Sequence, residues 1–185
     1  MTDEELRAGI VEHAYLEGDF VLRSGKRSSW YLDKYRFETR PELLRALGDR
    51  LGAVVRTQAA DATRLAAPEL GAVALAASAS LASELPFLIV RKEAKEYGTG
   101  NRLEGVVEAG ETVCLIEDVV TSGGALLDAV RAVRQAGLVC RTAVCVVDRE
   151  EGGADALERH AVRLWSLFRA SDLVGTTKSA ANPHG

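Results

Sequence analysis

The sequence predicts an α/β domain built on a mainly parallel sheet with helices on both faces. Three observations lead there. From residue 41 onward, short apolar runs alternate with longer stretches of helical periodicity, and parallel strands need such crossover connections. Runs such as PFLIV read as strands buried on both faces. Finally, 185 residues with 47% hydrophobic and 27% charged side chains suit one domain with a single core.

Each element follows from local pattern. Residues 3–17 carry Leu6, Ile10, Val11 and Ala14 at helical spacing, after a cap at Thr2 or Asp3. FVLRSGKRSSWYLDK reads as two short strands around a turn at Gly25. Pro41 opens a helix whose apolar stripe is Leu43, Leu44, Leu47, Leu51 and Val54. TRLAA is a strand leading to Pro68 and Gly71, and an alanine-rich helix then runs to about Glu84. PFLIVRK is a buried strand, followed by the polar, glycine-bearing EAKEYGTGNRLEG. A strand ending at Ile116, a turn and an amphipathic helix come next, then the strand VCRTAVCVVDRE. ADALERH reads as a short helix and AVRLWSLFRASDLV as a last strand with a terminal turn. The tail, 174–185, has little to bury and is expected to be flexible. No repeat or linker divides residues 1–185, and about 1–40 forms a separate N-terminal segment of the same domain.

Composition narrows the functional classes. A net charge of -4 counts against a general nucleic-acid binder. No apolar run approaches the roughly 20 residues of a membrane span, and MTDEELRAGI lacks the basic start of a secretory signal. Cys114, Cys140 and Cys145 lie in apolar stretches without CxxC spacing, which fits buried thiols in a reducing cytoplasm. His13, His160 and His184 form no metal-ligand pair by spacing.

The chemistry concentrates in CLIEDVVTSGGALLDAV, residues 114–130. A strand delivers Glu117 and Asp118 to the carboxyl edge of the sheet, where open α/β folds bind ligands. The Thr121-Ser122-Gly123-Gly124 turn then opens a helix, whose unpaired N–H groups and dipole favour a phosphate. Two acids would repel that phosphate, yet carboxylates accept hydrogen bonds well from hydroxyl groups. A phosphate a few ångströms from a vicinal diol satisfies both demands, as in a ribose 5-phosphate. No GKS or GKT follows, so this is not a Walker A loop, and the glycine spacing is too tight for a dinucleotide fingerprint.

This stretch closely resembles the 5-phosphoribosyl-1-pyrophosphate (PRPP) motif of type I phosphoribosyltransferases. The resemblance implies that family's fold, with a small N-terminal hood over a twisted parallel sheet. It places Glu117 and Asp118 on the ribose hydroxyls. It puts Thr121, Ser122, Gly123, Gly124 and Ala125 around the 5-phosphate, and counts Val119 and Val120 among the PRPP-binding residues.

RKEAKEYGTGNRLEG, residues 91–105, gathers Arg91, Lys92, Lys95 and Arg102 on a stretch where Gly98 and Gly100 permit movement. A basic lid of this kind closes on pyrophosphate and excludes water. It looks like the mobile catalytic loop of orotate phosphoribosyltransferases. The resemblance implies that Arg91, Lys92, Lys95 and Tyr97 bind PRPP, with Lys92, Lys95 and Asp118 catalytic. FVLRSGKRSSWYLD resembles the segment that covers the base, which puts Arg23 on the substrate and Tyr31 near the pyrimidine. Trp30 serves equally well as core filling. VVDREEGG matches a strand end where Arg149 meets the orotate carboxylate, a planar group that suits a guanidinium fork. Thr121 borders the same ligand.

The likeness spans about residues 18–153. It departs from the family pattern at Tyr97, where histidine is usual, and at Arg23, where lysine is usual. Leu32 replaces a second aromatic, and Glu69-Leu70 replaces a tyrosine–lysine pair. The activity implied is transfer of a phosphoribosyl group from PRPP to orotate, giving orotidine 5-monophosphate and pyrophosphate. The resemblance also implies magnesium held mainly by PRPP and water, with few direct protein ligands. A cytoplasmic homodimer is implied, with loop 91–105 reaching the neighbouring site, and neither membrane nor nucleic acid is a partner. Two alternatives stand beside it: a type I phosphoribosyltransferase for another base, and a PRPP-responsive nucleic-acid-binding regulator.

Overall fold

The computed structural model describes residues 1–21, 25, 27–93 and 102–173. Arg23, Lys95, Tyr97 and the tail 174–185 lie outside the described residues.

Helix α1 (Asp3–Ala14) begins with a capping box in which Thr2 and Glu5 satisfy each other's backbone N–H groups. It stops at Ala14 rather than 17, because Tyr15 already pairs with Leu32 in the ribbon of β1 (Tyr15–Val21) and β2 (Arg27–Leu32). This antiparallel ribbon is the pair of strands expected around Gly25, whose φ of 80° suits a turn glycine. A short helix follows that the sequence pattern did not announce, α2 (Lys34–Glu38). Pro41 then sits in the first turn of α3 (Pro41–Gln58), where its missing N–H is no loss.

Strands and helices alternate from there: β3 (Arg64–Pro68), α4 (Ala72–Ser83), β4 (Phe87–Val90), β5 (Leu103–Glu104), β6 (Thr112–Val120), α5 (Gly124–Gln135), β7 (Val139–Asp148), α6 (Gly153–Glu158) and β8 (Arg163–Arg169). The large sheet has the order β5-β4-β3-β6-β7-β8, all parallel except the two-residue edge strand β5. Successive strand residues face opposite sides. Leu65, Ala67, Cys114 and Ile116 therefore pack with α1, α3 and α4, while Ala66, Val113 and Leu115 pack with α5 and α6. The three thiols are free and buried, and burial pushes each of them upward. Among the described residues no helix is long and apolar enough to cross a membrane.

The order of strands locates a ligand site. β3 crosses through α4 to β4 on one side, whereas its neighbour β6 crosses through α5 to β7 on the other. The crevice at the carboxyl ends of β3 and β6 is thus the switch point of the sheet. The turn 68–71 and the Thr121–Gly124 turn both open onto it.

Helix α4 is seated by two glycines of α3, one turn apart. A Cβ at Gly48 would lie 2.0 Å from Ser78 Oγ and 2.8 Å from the Ser78 carbonyl carbon, and one at Gly52 would lie 3.0 Å from Ala82 Cβ. Close approach also lets Ser78 Oγ donate to the Leu44 carbonyl at 3.0 Å. We expect Gly48→Ala to lower stability by roughly 1–3 kcal/mol, the usual cost of overpacking. The midpoint of urea unfolding, with its slope unchanged, is the measurement.

Candidate active site

The acid pair does not stand on a loop. The sequence reading ended its strand at Ile116, but β6 continues to Val120, paired with β7 as far as Val120 and Asp148. The longer ladder draws both carboxylates inward, leaving Glu117 6% and Asp118 2% exposed. Each acid accepts from the next backbone N–H, Glu117 Oε1 from Asp118 at 3.0 Å and Asp118 Oδ1 from Val119 at 2.5 Å.

A side chain overlooked in the sequence completes this centre. Lys34 Nζ, at the start of α2, lies 2.5 Å from Asp118 Oδ2. Burial opposes the ammonium, but the charges of Asp118, Glu117 and Glu38 outweigh it and hold the Lys34 pKa above its ordinary value. Glu38, one helical turn further on, is itself buried, and its Oε1 has no hydrogen-bond partner. Burial, then the Asp118 charge, pushes the Glu38 carboxyl up to about 8. The same two causes push Glu117 up to about 8. Near neutral pH the cluster therefore holds protons as well as charge. A protonated carboxyl can donate where an ionised one only accepts, so the pair can complement both hydroxyls of a diol.

Beyond Val120, Thr121 and Ser122 are exposed. Gly123, at φ 80°, opens α5 without any side-chain cap. The first N–H groups of α5 thus have no side-chain cap, and a helix start of this kind can receive a phosphate. Close packing holds this turn: a Cβ on Gly123 would meet the Gly153 carbonyl at 3.1 Å. Ala125 follows in the first turn of the helix, exposed, and Val119 and Val120 are held in the sheet behind it.

Arg149 leaves the end of β7 beside this turn, its N–H donating to the Val120 carbonyl at 2.8 Å. Its buried guanidinium lies over the Trp30 ring, 4.0 Å from the centroid, and Trp30 in turn stacks on Tyr15. Nε is 3.0 Å from Glu151 Oε1, an ion pair without the alignment of a hydrogen bond. Tyr31 alternates to the outer face of β2, where it is 40% exposed and packs on Phe20. Of the two neighbouring aromatics, Trp30 is thus the one brought to Arg149, and Tyr31 is not.

The base of loop 91–105 is also defined. Arg91 N–H donates to the Arg102 carbonyl at 2.8 Å, and Arg102 Nε donates to the Arg91 carbonyl at 3.0 Å. Arg91 pairs with Glu104 at 3.3 Å, and Lys92 is exposed with its N–H on Glu69 Oε1 at 2.8 Å. Arg102, grouped by sequence with the loop cations, instead pairs with Asp128 of α5.

A phosphate-receiving turn, a buried acid pair and a hooded crevice at the switch point of this sheet define a type I phosphoribosyltransferase. No family model matches the sequence. Orotate phosphoribosyltransferase of Methanocella arvoryzae is 48% identical over 158 residues, 85% of this chain and 89% of that protein. UMP synthase of Leishmania donovani is similar in structure, with a TM-score of 0.86 at 27% identity over 98% of this chain; the chain spans 39% of its length. Orotate phosphoribosyltransferase of Mycobacterium tuberculosis in complex with PRPP gives 0.75 at 28% identity, over 92% of this chain and 98% of that one. The chain belongs to the orotate phosphoribosyltransferase family.

The carboxyl cluster makes stability depend on pH. A carboxyl raised in the folded state contributes stability below its ordinary value of 4.5, and loses it as pH rises through about 8. Glu38→Gln removes one such group. Its melting temperature should match that of the wild type near pH 5 and exceed it near pH 9. Parallel thermal melts across that range make the comparison.

Proposed function

We propose that this protein transfers the 5-phosphoribosyl group of PRPP to orotate, releasing pyrophosphate and forming orotidine 5-monophosphate in UMP biosynthesis. The observation that carries this reading is the buried acid pair running in one strand into the uncapped turn of α5, with Arg149 at the adjacent strand end. By resemblance to the family's PRPP motif, Glu117 and Asp118 are the proposed partners of the diol and Thr121, Ser122, Gly123, Gly124 and Ala125 those of the 5-phosphate. The anomeric carbon then faces the hood, from which the base approaches. Fixing both ends of the ribosyl unit holds that carbon for attack, and fixed dipoles stabilise the charge that develops at the ribosyl centre and on the leaving pyrophosphate.

Arg149 is the proposed carboxylate partner of orotate, with Trp30 holding its plane, and Arg23, Tyr31 and Thr121 the further base-side residues. Arg91, Lys92, Lys95 and Tyr97 are the proposed contacts of loop 91–105 with PRPP, Lys92 and Lys95 acting with Asp118 in catalysis. The site suits magnesium carried by the substrate. Asp118 is tied to Lys34. Magnesium carried by PRPP would supply neutralising charge to the leaving group. We further propose a cytoplasmic homodimer in which loop 91–105 reaches the neighbouring site.

The direct test is orotate-dependent pyrophosphate release from PRPP, with uracil, hypoxanthine and adenine assayed in parallel. Turnover with orotate alone is expected; use of another base in its place would overturn the assignment. Asp118→Asn should lower kcat/KM for PRPP about ten- to a hundredfold, since a hydrogen bond to a charged group contributes roughly 1.5–3 kcal/mol. Arg149→Ala should raise KM for orotate far more than for PRPP, because truncating one partner of a desolvated charge pair costs roughly 2–5 kcal/mol. Arg149→Lys should recover only part of that loss, lacking the parallel donors. Mixing Lys95→Ala with Asp118→Asn protein should restore activity if the loop acts across the dimer. Native mass spectrometry of the hybrid provides the control.

A further inference from the structure

The turn 68–71 between β3 and α4 borders the crevice opposite the acid pair, yet Pro68, Glu69, Leu70 and Gly71 bring it no cation. Glu69 makes it more acidic, and its carboxylate is turned to the Lys92 N–H. In the proposed reaction a pyrophosphate leaves from a ribosyl unit held at the acid pair, and this leaving group needs positive charge nearby. Lys34 supplies it from another part of the chain. A Cβ placed on Gly71 would lie 2.0 Å from Asp118 Oδ2 and 2.5 Å from Lys34 Nζ, so the turn and the ion pair are in contact.

The lysine of this pair is only part-buried, with its Nζ 5.4 Å from the centroid of the Tyr35 ring. The Lys34 side chain is 32% exposed while that of Asp118 is 3% exposed, so the pair is open only from the lysine's side. One of its three donors serves Asp118, which leaves others for the crevice. Behind it, Glu38 and Glu117 add to the negative surroundings that keep the ammonium in place. Asp33, which precedes α2, pairs with Arg36.

We propose that Lys34 contacts substrate: its ammonium, seated on Asp118 at the end of turn 68–71, binds the pyrophosphate of PRPP. This deepens the reading given above and rests on it. A lysine carried by the hood helix thereby supplies the positive charge absent from the turn itself. The buried carboxylate holds the cation at one point, so little side-chain freedom is lost when the anion arrives.

Three ligands separate this role from others: PRPP, inorganic pyrophosphate and orotidine 5-monophosphate, titrated calorimetrically into wild type and Lys34→Met. PRPP and pyrophosphate should bind roughly ten- to a hundredfold more weakly to the variant. Orotidine 5-monophosphate, which has the diol and 5-phosphate but no pyrophosphate, should bind as to wild type. Lys34→Arg should restore part of the loss. Equal weakening of all three ligands would show that Lys34 acts only through Asp118, and no weakening would show that it is structural; either overturns the proposal. Should Lys34→Met fail to fold with its three carboxyls left together, the same comparison is made between Lys34→Met/Glu38→Gln and Glu38→Gln. Wild-type protein that binds none of the three would sink the phosphoribosyltransferase reading itself, a result separate from either outcome for Lys34.

Discussion

Two carboxylates buried at the end of a central parallel strand set the terms for everything around them. Charge taken out of water is costly unless it is paired, hydrogen-bonded or neutralised by a proton. All three remedies are present: Lys34 on Asp118, backbone N–H groups on both acids, and carboxyls at Glu117 and Glu38 that keep their protons to unusually high pH. Each remedy constrains another part of the molecule. The ammonium requires α2 to lie against the crevice, and the ion pair requires a residue without a side chain at Gly71. Turn 68–71 in turn opens α4, whose seat against α3 depends on Gly48 and Gly52.

The remaining parts of the site are separated from this centre by element. The turn after β6 presents backbone amides, which carry no net charge and tolerate acids nearby. The guanidinium of Arg149 stands at the end of the next strand, over the ring of the hood aromatic Trp30. Its position depends on the hood ribbon lying across the strand ends, since Trp30 comes from β2 and Tyr15 behind it from β1. The N-terminal segment is therefore a structural part of the crevice wall.

Much of this was legible in the sequence. Strand–helix alternation from Pro41, the hood strands around Gly25 and the helix after Gly123 depend on local periodicity and turn chemistry, and the structure has all three. What was hidden involved partners distant in the chain. Glu117 and Asp118 read as residues beyond a strand because acids seldom sit inside one; only the ladder with β7 shows that β6 runs on to Val120. Nothing within the stretch DKYRFE connects Lys34 to a residue 84 positions away. Arg102 looked like another loop cation until its fork met Asp128. Trp30 and Tyr31 are adjacent, and only pairing with β1 decides which of them faces inward.

The stem between β4 and β5 has a consequence for how this chain can vary. Arg91 and Arg102 join their backbones directly, and Arg102 is further tied to α5, so the chain leaves the sheet and returns to it at one fixed point. For a segment closed in this way, doubling its length adds only about 0.6 kcal/mol of closure entropy. Insertions between residues 92 and 101 would therefore leave the register of the sheet untouched and cost the fold little. The length and composition of that segment are then free of constraint from the sheet, and the folded domain acts as an indifferent host to it.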